Sequence, residues 1–321
     1  MPPNRVAAGT GVCCARPDNV DRAMRRSTPR TVFRRLILIL CAGALGSCSA
    51  THRPTTLVRR VDHIMIRTGY PREVFAFFTD VLQLPIAWPM DTRGGVTSGG
   101  AGFGNVNVEA IQFPDQTAAE AKLVGFAFEP GPLDTVLNEL QRRSIRFGAP
   151  RPFYATLPDG TRRILWTNVT LLDLSDADRP ANATLHVFLS EYSPAYVNTE
   201  QRRERLRSQL ATSSGGPLGV LSVKEVIIGT TDLPTARKAW ERLLDPWPVS
   251  EPGVWHVGDG PAIRLVEARE DKLQEVVVSV VSLQRARAFL QTRQLMDSES
   301  REVIIRAPHL DGLVIRLVQD R

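Results

Sequence analysis

Cysteine and lysine are scarce in this 321-residue chain, and the positions of the few copies restrict its chemistry. The four cysteines, Cys13, Cys14, Cys41 and Cys48, all lie within the first 48 residues. The rest of the chain therefore has no disulfide framework and no thiolate zinc site. None of the four lysines, Lys122, Lys224, Lys238 and Lys272, falls in an apolar helical pocket by pattern, so Schiff-base chemistry has little support. The long apolar run, Leu36 to Leu45, is too short to cross a bilayer as a permanent helix. Gly102-Phe103-Gly104 lacks the third glycine and the strand-to-helix setting of a dinucleotide loop. Gly95-Val96-Thr97-Ser98-Gly99 is not a Gly-x-Ser-x-Gly nucleophile elbow. An excess of positive charge is missing too, once the N-terminal segment is set apart. The chain has 40 basic and 34 acidic residues, but residues 1–47 hold eight arginines against two aspartates, leaving 32 of each sign in the remainder. The isoelectric point near 9.5 belongs to the leader, and no nucleic-acid partner is expected.

What the N-terminus does have is an address. Arg25, Arg26, Arg30, Arg34 and Arg35 precede the apolar run, the order of a signal peptide. The run ends in Leu45-Gly46-Ser47-Cys48, which resembles a bacterial lipobox. That resemblance implies lipidation of Cys48, which becomes the N-terminus after cleavage. Ser49 after it implies sorting to the outer membrane, with the chain lipid-anchored in the cell envelope on its periplasmic face. A plain signal or an uncleaved anchor is the alternative. Residues 1–23 have the character of no domain, and Met24 is the expected start.

Beyond the leader, Val61-Asp62-His63-Ile64-Met65-Ile66 reads as a strand with Val61, His63 and Met65 on one face. Some forty residues on, Asn105, Asn107 and Glu109 share a face of a second strand, with Val106, Val108 and Ala110 on the other. Between them, Val74, Phe75, Phe78, Val81 and Leu82 follow one helix face over residues 71–82. A glycine cluster from Gly94 to Gly104 then punctuates short strands. This order resembles the βαβββ module of the vicinal oxygen chelate superfamily, which includes glyoxalases, extradiol dioxygenases and bleomycin-binding proteins.

The same order recurs three times, beginning near Leu123, Val223 and Val276. One such module cannot bury its sheet alone. The expected fold class is therefore α+β, four βαβββ modules forming two glyoxalase-like half-open barrels: a first domain over residues 57–197, a helical segment and linker over 198–217, and a second domain over 218–321. Residues 212–217, Thr-Ser-Ser-Gly-Gly-Pro, have the composition of a flexible tether.

The resemblance also implies a site. In the family, ligands on the first and last strands of paired modules bind a divalent metal inside the curved sheet, and His63 and Glu109 stand at two of those positions. Glu191, ending the stretch from Leu185, is placed like the final ligand, while Gly125 occupies the remaining position. The implied set is His63, Glu109 and Glu191 around Mn²⁺, Fe²⁺, Zn²⁺ or Mg²⁺, with Glu109 or Glu191 as catalytic base and Asn105 and Asn107 binding substrate. His186 alternates away from Glu191 and is set aside as a ligand. In the second half, Glu225 replaces the histidine and Arg264 falls near the glutamate, so that half is read as degenerate. Two functions follow: a metal-dependent enzyme of lyase, isomerase or dioxygenase type, or a metal-free lipoprotein that sequesters a small molecule.

Overall fold

The computed structural model describes residues 55–116, 118–157, 159–297 and 300–320. The signal peptide, Cys48 and the Met24 start lie outside the described residues.

The described residues form one compact unit built on two curved mixed sheets. The first sheet contains β1 (Val58–Arg67), β2 (Ile86–Arg93), β3 (Val96–Gly102), β4 (Asn107–Gln112), β5 (Lys122–Pro130), β6 (Arg151–Thr156), β7 (Arg162–Thr170) and β8 (His186–Tyr192). Its strand order is β2-β3-β4-β1-β5-β8-β7-β6. The second contains β9 (Val220–Thr230), β10 (Val249–Glu251), β11 (Val254–His256), β12 (Ala262–Glu267), β13 (Lys272–Val280), β14 (Val303–Ile304) and β15 (Ile315–Gln319), ordered β10-β11-β12-β9-β13-β15-β14. In each sheet two modules meet at a central antiparallel pair, β1 with β5 and β9 with β13, and each module closes with a parallel pair. The fold class is the α+β arrangement expected from the repeats, and among the described residues the fourth module has three strands, β13 to β15.

The helices lie where amphipathic spacing places them. α1 (Pro71–Ala76) opens with a proline in its first turn, where no backbone donor is lost. It runs on as a widened turn through Phe77–Val81, burying Val74, Phe77 and Phe78. α2 (Leu133–Arg142) buries Leu133, Val136 and Leu140. α4 (Leu233–Leu244) and α5 (Leu283–Thr292) are capped by the side chains of Asp232 and Ser282. α3 (Thr199–Thr212) is capped by Asn198 and is polar over most of its surface, so it docks through a narrow apolar seam, buried Leu206 and Leu210, together with charged contacts.

Both sheets share one core. Trp240 of α4, 2 % exposed, packs on Trp255 of β11 and reaches Phe126 and Phe128 of β5, with ring centroids 5.8 and 6.3 Å away. The segment expected to be a flexible tether is packed into the same body. Gly216 has a φ of +63°, and a Cβ there would lie 2.3 Å from the carbonyl oxygen of Leu82. Here glycine supplies a left-handed turn and close backbone approach, not freedom. Leu218, just after it, is fully buried. With a continuous core, heat should unfold the two sheets in one calorimetric transition; two well-separated transitions would show that each half keeps its own core.

Candidate ligand cup

The concave face of the first sheet is built around an irregularity in β1. Val61 pairs with Phe128 and His63 with Ala127, so Asp62 is an extra residue in a β-bulge. A bulge re-aims side chains. Val61 joins Ile64 and Ile66 in the main core, whereas Asp62 and His63 both serve the concave side. The expectation that Val61 shares the face of His63 is corrected by this bulge. The carbonyl of Asp62 accepts from Asn107 Nδ2 at 3.1 Å, so Asn107 holds the bulge in place.

The structure brings His63 and Glu109 together. His63 Nε2 lies 3.4 Å from Glu109 Oε2, and His63 Nδ1 lies 2.9 Å from Asp62 Oδ2. Burial alone would lower the His63 pKa, but the hydrogen bond to Asp62 and the charge of Glu109 raise it. For Glu109, burial raises the pKa beyond what His63 and Ser98 offset. Asp62 is fully buried, which taken alone would raise its carboxyl. Arg202, with hydrogen bonds from His63 and Tyr192, holds it well below the usual carboxylate range instead.

Arg202 comes from α3, which covers this part of the cup. Its Nη2 donates to Asp62 Oδ1 at 2.8 Å, and its guanidinium sits over the rings of Trp88 and Tyr192, 5.5 and 5.1 Å from their centroids. Tyr192 Oη donates to Asp62 Oδ2 at 2.7 Å. The neighbouring Arg203 donates to Glu129 Oε2 at 2.7 Å. Leu206 lies against Gly102, and Leu210, one turn on, enters the main core. From Tyr192 the concave face continues outward through Trp166, 6.4 Å away, to Phe153, stacked on Trp166 at 5.4 Å and 42 % exposed.

Glu191 and Asn105 lie elsewhere. On β8, His186, Phe188, Ser190 and Tyr192 face the cup, whereas Val187 and Leu189 enter the main core. Glu191 shares the parity of the latter, and its Oε1 accepts from the backbone N–H of Leu133 at the start of α2, 2.8 Å away. The expected third ligand thus caps a helix on the other face. Asn105 pairs with the backbone of Val223 in the second half, donating to its carbonyl and accepting from its N–H, both at 2.9 Å. His186 is the residue that turns inward, opposite to its expected exclusion. Its Nδ1 is 3.2 Å from the carbonyl oxygen of Ala177, and burial pushes its pKa down to about 4. A histidine buried neutral contributes stability above its unfolded pKa that is lost as pH falls from about 6.5 toward 4. Acid titration of His186→Gln should show a shallower loss over that window, and an unchanged profile would contradict this assignment.

At the far end, Arg67 is 4 % exposed and its Nη1 donates to the carbonyls of Pro180, Ala181 and Ala183. It straps the loop before β8 across the cup. Arg67→Met should cost about 1–3 kcal/mol by leaving those carbonyls unpaired, with faster amide exchange confined to residues 176–185; exchange unchanged in that loop would contradict the strap.

No protein-family model matches the sequence, and no curated protein matches it. Solved structures do match the fold. A hypothetical protein from Staphylococcus aureus aligns over 81 % of this chain and 99 % of its own length, with TM-score 0.52 at 12 % identity. A variant of homoprotocatechuate 2,3-dioxygenase from Brevibacterium fuscum aligns over 84 % of this chain and 74 % of its own, with TM-score 0.50 at 15 % identity. The chain shares the fold of these structures.

Strand register identifies the positions that are equivalent in the two modules of this sheet. Glu109 stands opposite Met65, two residues beyond His63, and Phe188 stands opposite Ala127, two residues beyond Gly125. The four positions of the first cup are therefore His63, Glu109, Gly125 and Phe188. Gly125 has a φ of +148°, and a Cβ built there would lie 1.8 Å from the carbonyl oxygen of His186. Phe188 places its ring 5.7 Å from that of His63. Two donors remain, and a third group at the site, Asp62, is committed to Arg202, His63 and Tyr192. A resident divalent cation needs three or four protein donors and no competing guanidinium. Among the described residues no group of three or more candidate metal ligands comes together, and the side chains of this cup do not fit the expected metal.

Asp62, Trp88, Phe188, Tyr192 and Arg202 escaped the sequence reading. A bulge leaves no signature in alternation, but α3 did carry a signal: a mostly polar helix with only Leu206 and Leu210 as its apolar seam, bearing adjacent arginines, draws on acidic partners.

Proposed function

We propose that this chain is a cell-envelope protein, tethered through lipidated Cys48, that binds a small aromatic compound in its N-terminal cup without a metal and without turning it over. The observation that carries this reading is the replacement of two of the four site positions by Gly125, where no side chain fits, and by Phe188. The half-open aromatic row Phe153–Trp166–Tyr192 supports an aromatic ligand, because planar rings gain from offset or edge packing beyond their buried area. His63 and Arg202 would orient polar substituents of that ligand from the inner end of the row.

The test pairs elemental analysis with ligand titration. Protein purified without chelator or affinity-resin metal should hold far less than one equivalent of Mn, Fe or Zn, before and after addition of each. Tryptophan fluorescence should saturate with members of a panel of aromatic acids and phenols, and Trp166→Ala should abolish that response. One tightly held equivalent of metal that disappears in His63→Ala would replace this reading with the enzyme reading, which rests on the 3.4 Å His63–Glu109 pair. Membrane-extracted protein whose mass shows an unmodified Cys48 would remove the tether.

A further inference from the structure

The second sheet repeats the architecture of the first, and its register names four equivalent positions. Arg264 stands opposite Ile227, two residues beyond Glu225; Arg316 stands opposite Val277, two residues beyond Glu275. Across the central strands, Val277 pairs with Glu225 as Ala127 pairs with His63. The sites of His63, Glu109, Gly125 and Phe188 are thus taken by Glu225, Arg264, Glu275 and Arg316, two charges of each sign converging on one concave face.

Each glutamate meets the arginine of its own module. Arg264 Nε donates to Glu225 Oε1 at 2.6 Å, and Arg316 Nε donates to Glu275 Oε1. Both pairs run through Nε. Among the described residues, the terminal nitrogens of Arg316 have no hydrogen-bond partner, and those of Arg264 have one, Nη1 to Glu251 Oε2 at 3.3 Å. The guanidinium fork that grips a carboxylate is therefore largely unspent. The side chains are accessible: Arg264 is 34 % and Arg316 27 % exposed, against 17 % and 18 % for Glu225 and Glu275. Asp62 in the first cup is 0 % exposed. The two modules also sense each other, since Glu225 acts electrostatically on Arg316 as well as on Arg264. Ile227, Val266 and Val318 alternate onto the same face, half-buried and outside the main core.

We infer that the second cup is a binding site for a small zwitterion, an aliphatic α-amino acid. Its carboxylate accepts from the terminal nitrogens of Arg316, its ammonium donates to Glu225 and Glu251, and its side chain lies toward Ile227. Solvent-exposed ion pairs are worth little by themselves, so the ligand gives up little in reorganising them. A lone anion or cation satisfies only one sign of the quartet and leaves the other pair as it was. This half is then a second site rather than a degenerate copy, and the inference stands apart from the aromatic ligand of the first cup.

Isothermal titration of the full chain with L-valine tests it, with 3-methylbutanoate and isobutylamine as the two single-charge analogues. L-Valine should bind saturably, and each analogue should bind weaker by about tenfold or more, the equivalent of one lost charge-assisted hydrogen bond. Arg316→Gln and Glu225→Gln should each weaken L-valine by a similar factor, with melting temperatures checked first. If Arg316→Gln does not fold, Glu225→Gln and the analogue series decide. No saturable binding by the wild type overturns the inference, as does L-valine binding that survives both substitutions, or 3-methylbutanoate binding as tightly as L-valine.

Discussion

Replacing Asp62 by asparagine should lower the unfolding free energy by about 3–5 kcal/mol, the range for breaking a buried charge pair from one side. Asp62 has no solvent exposure and gathers Arg202, His63 and Tyr192 at 2.8, 2.9 and 2.7 Å. An amide of the same shape keeps an acceptor for Tyr192 but presents a donor toward one of its two nitrogen partners. The guanidinium of Arg202, only 13 % exposed, is left without its counter-charge. α3 then loses one of the charged anchors that supplement Leu206 and Leu210, so the damage should spread along residues 199–212. Urea unfolding measures the loss, and amide exchange in α3 locates it. Arg202→Met in the Asp62→Asn background should recover part of the stability, because removing both charges is far less costly than stranding one. A loss below about 1 kcal/mol in the single variant would place the pair in the class of exposed ion pairs and remove the basis for a rigid cup.

The legible and illegible parts of this fold divide along the range of the interaction that fixes them. Residues 71–82, 133–143 and 234–244 declared their helices through apolar spacing, and the recurrence of strand, helix and strands declared the paired modules, because both are properties of short windows. His63 and Glu109 were found together for the same reason: parity on each strand is local, and the parallel pairing of β1 with β4 preserves it. Failure began where one residue changes parity. The bulge at Asp62 moved Val61 into the core and turned a carboxylate into the cup. On β8, the Glu191 assignment counted from the strand end, whereas register counts from Gly125 opposite His186 and reaches Phe188. Glu225 and Arg264 mark the second half as degenerate when each strand is taken alone; that they pair, and that Glu275–Arg316 matches them, becomes visible only once β9, β12, β13 and β15 are laid side by side. Glycine misled in the linker, since composition does not distinguish a residue chosen for mobility from one chosen for a positive φ.

The same ambiguity at Gly125 supplies the sharpest test of why the first cup lacks a full ligand set. If glycine there were a neutral loss of a ligand, Gly125→His would restore a nitrogen donor beside His63 and Glu109, and the protein would melt higher with Zn²⁺. The structure gives the opposite expectation. A Cβ at residue 125 would sit 1.8 Å from the carbonyl oxygen and 2.6 Å from the carbonyl carbon of His186, both backbone atoms that no rotamer can move. The φ of +148° adds strain for any L side chain. β5 and β8 would have to separate at the Gly125–His186 pair, breaking the parallel ladder that closes the second module. Gly125→Ala, with the smallest side chain, already meets this obstacle, so it should lose more than about 4 kcal/mol, in the tail reserved for severe backbone strain. Gly125→His should not accumulate as folded protein. Circular dichroism and soluble yield distinguish the cases directly. A folded Gly125→His variant with a Zn²⁺-dependent rise in melting temperature would show that β8 can yield and that the first cup can hold a metal.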